Sequence, residues 1–358
     1  MCISMVSASH HYDTGKESID AFIASIAEKD LRDNIYFLRD AAEKIWTPSI
    51  RLLQGYTDHD IKHSERVANN AINLLGMNNN INLLDQEKYL LLSAIFLHDI
   101  GMQCDIARYP EIHFKAEQLG AKFNTEFKAS NIAEYSNKEK RAIRENHQYL
   151  SAAWISYAFK SHKTELGDAA SRIPAYLVSD LIEICKYHSK LPINNCIIAS
   201  INYPTIRVQF LAALLRFADE LDTDRNRIPF SVIKLFKLDP YNAVYWWLHN
   251  LTIITYEPAN VIILKIMLNE EDYAKFNSAV YDNFIMEFQT KNHPVITILR
   301  QNGIPVAIGA ESCVVKDSNA ESLPEDIKAE LTKLTKSFDQ LESLAHEVRT
   351  WLRALSYE

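Results

Sequence analysis

The chain has 358 residues, of which 47% are hydrophobic and 23% are charged, and its formal net charge is −8 at pH 7. This is the composition of a globular protein long enough to bury its own core, as one large domain or two ordinary ones. The negative charge argues against broad nonspecific binding of nucleic acid or of an anionic membrane, although a local basic cleft is compatible with it.

The cysteines and the apolar segments point to a reducing compartment. The five cysteines are odd in number and none forms a CxxC pair, which argues against a disulfide framework or a thiolate zinc site. The longest apolar runs are shorter than the roughly 18 residues of a membrane span. The N-terminus lacks the basic start and apolar core of a signal peptide. We therefore expect a cytoplasmic protein with no membrane partner.

The first two thirds of the chain are predicted to be helical. There are only 8 glycines, and apolar residues recur at spacings of three and four. A short helix is expected within 103–137, and Pro204 is suited to the first turn of the last helix in this region. The other predicted helices cover 17–53 (as one or two), 60–76, 86–98, 138–160, 173–189 and 204–222.

A smaller α+β region is predicted after Arg227. The β-branched and aromatic segments 230–238, 244–257 and 260–268 are predicted as strands. A helix over 270–290 and short strands near 304–315 complete it. The aromatic residues of this region either belong to its core or stack on a base; they include Tyr245, Trp246, Trp247 and Tyr256.

A heptad pattern marks the C-terminus and predicts one long helix over 321–358. From Ile327 onward the apolar residues alternate at spacings of four and three as far as Leu355. The sequence "SLPE" predicts a capping box formed by Ser322 and Glu325. Such a helix either packs on the rest of the chain or binds a second copy or a partner protein.

Polar residues with metal-ligating side chains continue the apolar stripes of five predicted helices. In "AIFLHDIGM" (94–102) a buried-looking helix ends in His98 and Asp99. An uncompensated polar group in a core costs roughly 2–7 kcal/mol. One such histidine is ordinarily a hydrogen-bonded core residue, but a convergent set predicts shared cations. Imidazole and carboxylate ligands suit Mn, Fe, Co, Ni or Zn, and Mg less well. The other members of the set are His63, His147, His188 and Asp219.

The motifs around these residues resemble the HD-domain metal-dependent phosphohydrolase superfamily over about residues 55–228. They are "HDIKHSERV" (59–67), "LLLSAIFLHDIGM" (90–102), "IRENHQYLSA" (143–152), "ICKYH" (184–188) and "LLRFADELDTDRNRI" (214–228). The forms "HDIGM" and "ADELD" are similar to a prokaryotic HD subgroup found near stress and conflict genes.

The resemblance implies a site with two divalent ions, drawn from Mn, Fe, Ni, Co, Zn or Mg. His63, His98, Asp99 and Asp219 would hold the first ion. His147 and His188 would hold the second, and Asp99 would bridge the two. A water activated between the ions would attack phosphorus. Gly101 is expected to permit a left-handed turn and a close backbone approach beside the ligands.

Supporting residues are predicted from their distance in sequence to the ligands. His59, one turn before His63, either protonates a leaving oxygen or binds phosphate, or is only a surface residue. The basic residues near the ligands either contact phosphate or form surface salt bridges. The catalytic candidates among them are Arg66, Arg144 and Lys186, and the candidates for substrate binding are Arg225 and Arg227. Asp222 and Asp224 either orient histidines or merely end a helix.

These observations predict a mainly α protein with an HD-type helical bundle. Its expected parts are N-terminal helices packing on the core (1–54), the phosphohydrolase domain (55–228), an α+β accessory region (229–320) and the terminal helix (321–358). The favoured function is hydrolysis of a phosphoester or phosphoanhydride of a small nucleotide, for example a dNTP. The alternatives are a phosphodiesterase or nuclease acting on cyclic nucleotides or single strands, and a ligand-sensing module that signals to a partner protein.

Overall fold

The structure, a computed structural model, describes residues 15–47, 60–223, 240–315 and 322–333. Within these ranges the chain forms two compact units. The first unit contains the N-terminal helices, the described residues up to Asp222, and the short segment Gln301–Ile304. The second contains the described residues from Thr223 to Arg300 and those from Pro305 onward. The fold is mainly α with an α+β region near the C-terminus, as the sequence predicts.

The first unit is a bundle of helices. The helices are α1 (Gly15–Ala24), α2 (Lys29–Trp46), α3 (Ile61–Gly76), α4 (Asp85–Leu97), α5 (Pro110–Gln118), α6 (Asn137–Glu145), α7 (His147–Ser161), α8 (Gly167–Ala170), α9 (Val178–Tyr187) and α10 (Val208–Glu220). The segment 17–53 gives two of them, α1 and α2, so far as it is described. Helix α1 contacts α3, and α2 contacts α4.

Helix α4 is the centre of this bundle. All of its residues from Tyr89 to Leu97 are buried, which explains why the helix is apolar on every side rather than on one stripe. It contacts α3, α9 and α10 as well as α2. The helix ends at Leu97 with His98 as its C-cap, and a 3₁₀ turn over Ile100–Gln103 follows. The end of α4 therefore lies inside the protein, not at its surface.

The predicted helix 138–160 is two helices, because Asn146 interrupts it. The Asn146 side chain donates to the carbonyls of Lys122 and Ala142 at 3.1 and 3.0 Å, and its Oδ1 accepts from Lys122 N at 3.0 Å. These bonds connect Asn146 to the segment before α6. They compete with the backbone hydrogen bonds that a continuous helix would need at this residue. His147 thereby becomes the first residue of α7.

Pro204 does not lie in the first turn of a helix, so the position predicted for it is wrong. Helix α10 begins at Val208, and Pro204 lies in the preceding loop. That loop is closed by Ser200 N donating to Ile206 O at 2.9 Å. Arg207 then binds Glu87 of α4 through both its backbone N (3.0 Å) and its guanidinium, which fixes where α10 starts.

The second unit contains the elements α11 (Pro240–Leu251), β1 (Thr252–Glu257), β2 (Val261–Asn269), α12 (Glu270–Val280), α13 (Met286–Gln301) and β3 (Ala307–Val315). The strands form a three-stranded sheet of order β1-β2-β3, in which β1 is antiparallel and β3 parallel to β2. Along β2 the residues alternate between buried and half-buried, so one face of the strand is covered. Helix α12 lies within the predicted helix 270–290, and α13 overlaps its end and continues to Gln301.

Only the second half of the predicted strand 244–257 is a strand. Residues up to Leu251 belong to α11, and β1 starts at Thr252. Trp246 and Trp247 are buried in this helix, so both serve as core residues. The aromatic and β-branched composition suits a strand, but burial of one face of a helix satisfies the same side chains. The predicted strand 230–238 lies outside the described residues.

The terminal helix is described only over residues 325–333, and the rest of its heptad pattern lies outside the described residues. Ile327 and Leu331, the first two heptad positions, are buried. The predicted capping box is wrong: the first helical bond runs from Lys328 N to the carbonyl of Pro324 at 2.9 Å. Ser322 instead lies 3.4 Å from Asp272, which also accepts from Leu323 N at 2.7 Å.

The cysteines that the structure describes are free thiols: Cys104, Cys185, Cys196 and Cys313. Among the described helices, none combines the length and the apolar character that crossing a bilayer requires.

Candidate metal centre

Five helices bring the six predicted ligands to one place in the first unit. His63 is in the first turn of α3, His98 and Asp99 follow α4, and His147 begins α7. His188 is the C-cap of α9, and Asp219 is in the last turn of α10. The four histidines and Asp99 are buried, while the Asp219 side chain is 25% exposed. The cluster therefore meets solvent on the side of Asp219.

The first half of the cluster consists of His63, His98, Asp99 and Asp219. The Nε2 atom of His63 lies 3.4 Å from Nε2 of His98 and 3.2 Å from Asp219 Oδ1. Asp99 Oδ2 is 3.3 Å from His98 Nε2 and 3.7 Å from His63 Nε2. His63, His98 and Asp99 thus form a compact group, and Asp219 Oδ1 lies beside it, 3.9 Å from His98 Nε2.

The second half consists of Asp99, His147 and His188. The two Nε2 atoms are 3.1 Å apart, and each is 3.3 Å from Asp99 Oδ1. Asp99 therefore directs one carboxylate oxygen to each half. His63, His98 and Asp99 in the first half, and the three residues of the second half, have the composition and the mutual distances of a cation-binding group.

Three histidines are oriented by the same kind of hydrogen bond to the backbone. Each Nδ1 atom contacts the carbonyl three residues earlier: Ile95 for His98 at 2.8 Å, Arg144 for His147 at 2.6 Å and Cys185 for His188 at 2.5 Å. Each carbonyl belongs to the last turn of a helix, where carbonyls lack a partner within the helix. A carbonyl only accepts, so Nδ1 carries the hydrogen, and in the neutral ring the Nε2 lone pair faces the cluster.

His63 is oriented by side chains instead. Its Nδ1 lies 2.6 Å from Asp222 Oδ2. The Arg66 guanidinium donates to the same carboxylate through Nε at 2.6 Å and through Nη2 at 3.1 Å. Asp222 thus orients a histidine, the first of the two alternatives considered for it. Arg66, predicted to bind phosphate, is bonded to Asp222, and its contact with a substrate stays a prediction.

Gly101 is needed for a close approach and not for a left-handed turn. Its φ is not positive, so that part of the prediction is wrong. A Cβ at this position would lie 2.2 Å from the carbonyl oxygen of His147 and 2.6 Å from Ser151 N. Gly101 N donates to Ser151 Oγ at 2.8 Å. The absence of a side chain lets the 3₁₀ turn after Asp99 touch the first turn of α7, which carries His147.

The donor set fits divalent cations. In each half two imidazole Nε2 atoms face one another at 3.1–3.4 Å beside carboxylates, an arrangement that a shared cation stabilises. Burial lowers the pKa of His98, but Asp99 and then Asp219 outweigh it and raise the pKa to about 9. Burial raises the pKa of Asp219, but the hydrogen bond and charge of His63 take it well below its usual range. The cluster therefore attracts positive charge.

The remaining predicted residues lie around this centre or outside the described residues. Lys186 Nζ is 2.6 Å from Glu183 and sits over the Tyr187 ring. The Arg144 side chain is exposed, while its carbonyl holds His147. Outside the described residues lie His59, Asp224, Arg225 and Arg227.

Ser151 and the three carbonyls that hold the histidines were not predicted from the sequence. The helix break before His147 was not predicted either, but a usable signal exists for His98 and His188, because each lies at the end of a predicted helix. There the carbonyl three residues earlier is free to accept. Ser151 carries no such signal, because its role depends on the packing of α7 against Gly101.

One of three comparisons with known proteins gives a match. The family model described as HD-CE matches residues 53–275. Neither the curated proteins nor the solved structures include a significant match.

Proposed function

The chain belongs to the HD-CE family, and we propose that it is a phosphohydrolase whose cluster holds two divalent cations. The family match and the cluster support an HD-type domain with a metal-dependent hydrolase site. The observation that carries the proposal is the position of Asp99, which directs Oδ2 to the first half and Oδ1 to the second.

Within this proposal, the residues of the chain act by position and charge. His63, His98, Asp99 and Asp219 hold one cation, and Asp99, His147 and His188 hold the other. When bound, divalent cations ease the deprotonation of an attacking water and neutralise charge on a phosphate. The partly exposed Asp219 marks the side from which substrate enters. Burial of the histidines excludes bulk water from the rest of the site.

A small nucleotide is the substrate class that we propose, with hydrolysis of a phosphoester or phosphoanhydride bond of a dNTP-type compound. The net charge of −8 disfavours a long polyanion, whereas a few local cations suffice for a short one. The candidates for phosphate contacts remain His59, Arg66, Arg144, Lys186, Arg225 and Arg227. Hydrolysis of cyclic nucleotides or single-stranded nucleic acid is the alternative within the same chemistry.

Three further proposals concern the setting of the protein. The resemblance of "HDIGM" and "ADELD" to the prokaryotic conflict-associated HD subgroup supports a role in stress or conflict. The free cysteines support a cytoplasmic location. The heptad pattern after Ile327 supports a homo-oligomer or a partner protein bound through the terminal helix.

A substrate panel tests the proposed activity. The purified chain, supplied with Mn²⁺ or Mg²⁺, is incubated with nucleoside mono-, di- and triphosphates, a cyclic dinucleotide and single-stranded DNA. We expect phosphate or nucleotide release from a mononucleotide, no turnover by Asp99→Ala, and normal turnover by Glu165→Gln, which alters an exposed pair with Arg108. Absence of turnover on every substrate with either ion would count against hydrolysis.

A ligand-sensing module is the proposal from another class, supported by the second compact unit and the heptad tail. It predicts nucleotide binding that is measurable by calorimetry without product formation. Turnover of the bound nucleotide at a rate that Asp99→Ala abolishes would contradict it.

A further inference from the structure

The two halves of the cluster differ in what supports their histidines. His98, His147 and His188 each rest on a neutral backbone carbonyl. Within the described part of the chain, a carboxylate, that of Asp222, contacts Nδ1 of His63 only. A carboxylate that accepts the Nδ1 hydrogen fixes the ring orientation and increases the basicity of the ligand nitrogen more than a carbonyl does. The first half therefore contains one ligand that a described carboxylate strengthens.

The halves also differ in their own donor atoms. The first half offers two ring nitrogens and two carboxylate oxygens, one from Asp99 and one from Asp219. From the residues that the structure describes, the second half offers two ring nitrogens and one carboxylate oxygen, that of Asp99. The additional carboxylate brings a further negative charge to the first half, and oxygen ligands suit hard divalent ions such as Mn²⁺.

Arg66 holds Asp222 in the geometry that His63 requires. Its Nε and Nη2 atoms bind both carboxylate oxygens, and the Asp222 side chain is only 4% exposed. A buried carboxylate without such a partner would be destabilised and would rotate or take up a proton. A two-point contact from a planar guanidinium restricts that rotation.

We infer that the two halves bind divalent cations with unequal affinity, and that Arg66 and Asp222, as positioning residues acting on His63, make the first half the tighter site. The inference rests on the proposed two-cation centre. An ion then fills the first half at low concentration, and the second half loads only at higher concentration. The activity of the protein becomes sensitive to the supply of the second, exchangeable ion.

Titration of the metal-depleted full-length chain with Mn²⁺ tests the inference without an activity assay. Calorimetry gives the dissociation constant of each step, and electron paramagnetic resonance distinguishes an isolated Mn²⁺ ion from a coupled pair. We expect two separated steps, with an isolated-ion spectrum after one equivalent and a coupled spectrum after two. A single step for two equivalent ions, with coupling from the start, would overturn the inference but leave the proposed centre intact. Absence of any binding would overturn both.

Variants identify which half fills first. Arg66→Gln and Asp222→Asn are expected to raise the dissociation constant of the first step about 10- to 100-fold. The second step should stay within about threefold of its wild-type value. His188→Asn should keep one ion at the wild-type affinity of the first step. An unchanged first step in both Arg66→Gln and Asp222→Asn, or equal weakening of the two steps, would contradict the assignment.

Arg207→Gln is the matched control. Arg207 binds the buried carboxylate of Glu87 by the same two-point contact, through Nε and Nη2 at 2.8 Å each. Because this pair holds the start of α10 and not a ligand, its loss should lower the melting temperature and leave both metal steps unchanged. A change of the metal steps in Arg207→Gln comparable to that in Arg66→Gln would show that the effect is general destabilisation.

Discussion

Gly101→Ala should damage the metal centre through the backbone alone. The added Cβ would stand 2.2 Å from His147 O, 2.6 Å from Ser151 N and 2.9 Å from Leu150 Cβ. Ordinary contacts between such atoms are about 3.5–4.0 Å, so the 3₁₀ turn and α7 must separate by more than about 1 Å. Backbone atoms form two of the three contacts, so rotation of a side chain cannot relieve the strain.

The expected cost follows from these contacts. Overpacking a core typically costs about 1–3 kcal/mol. Loss of the bond from Gly101 N to Ser151 Oγ adds about 1 kcal/mol. For a unit of this size each kcal/mol lowers the melting temperature by about 2–4 °C, so a fall of about 5–15 °C is expected. Displacement of His147 should also weaken binding of the second Mn²⁺ ion.

Differential scanning calorimetry with Gly76→Ala as control measures the effect. A Cβ on Gly76, the last residue of α3, would meet nothing within 4 Å. Alanine is about 1 kcal/mol better than glycine in a helix, so this control should match or exceed the wild type in melting temperature. A melting temperature of Gly101→Ala equal to that of the wild type would refute the packing argument.

Three other outcomes are expected. The Glu139 carboxylate accepts from Lys128 N, Ala129 N, Ser136 N and Ser136 Oγ, and despite burial these bonds lower its pKa to about 2. Glu139→Gln should therefore cost about 1–3 kcal/mol in denaturant unfolding at pH 7. That deficit should shrink as pH falls from about 4.5 towards 2, because the wild-type carboxylate is then protonated; a pH-independent deficit would contradict the assignment. Glu145→Gln, on the exposed face of α6, should cost less than about 1 kcal/mol. If the full-length chain is an oligomer, a chain ending at Lys333 should contain fewer subunits by light scattering. The same number of subunits in both chains would count against association through the heptad tail. Ser151→Ala should weaken the second Mn²⁺ step more than the first, and equal weakening of both would argue that Gly101 supports the whole cluster.

Helix periodicity predicted most of the first unit, because burial of one face depends on local spacing alone. In the predicted helix 60–76, the apolar stripe formed by Val67, Ala71 and Leu74 is buried in α3, and His63 continues it inward. Boundaries were less accurate where side chains from other segments decide them. Asn146 breaks a helix by bonding to Lys122, and Glu87 fixes the start of α10 from a position 120 residues away.

The ligand set could be predicted for the same reason, since each ligand extends an apolar stripe. The residues that orient these ligands could not be predicted from the sequence. The partner of His63 is 159 residues away in sequence, and Arg66 reaches that partner across 156 residues. Proximity to a ligand suggested phosphate binding for Arg66, whereas its contact with Asp222 depends on how α3 packs against α10. The segment 244–251 shows the same limit, because aromatic composition does not distinguish a strand from a buried helix.

Anomalous diffraction from crystals grown with Mn²⁺ tests the central claim most directly. The account predicts two anomalous peaks, one among His63, His98, Asp99 and Asp219 and one among Asp99, His147 and His188. At limiting Mn²⁺ the first peak should be the stronger. Absence of both peaks from a cluster with the same side-chain arrangement would contradict the account.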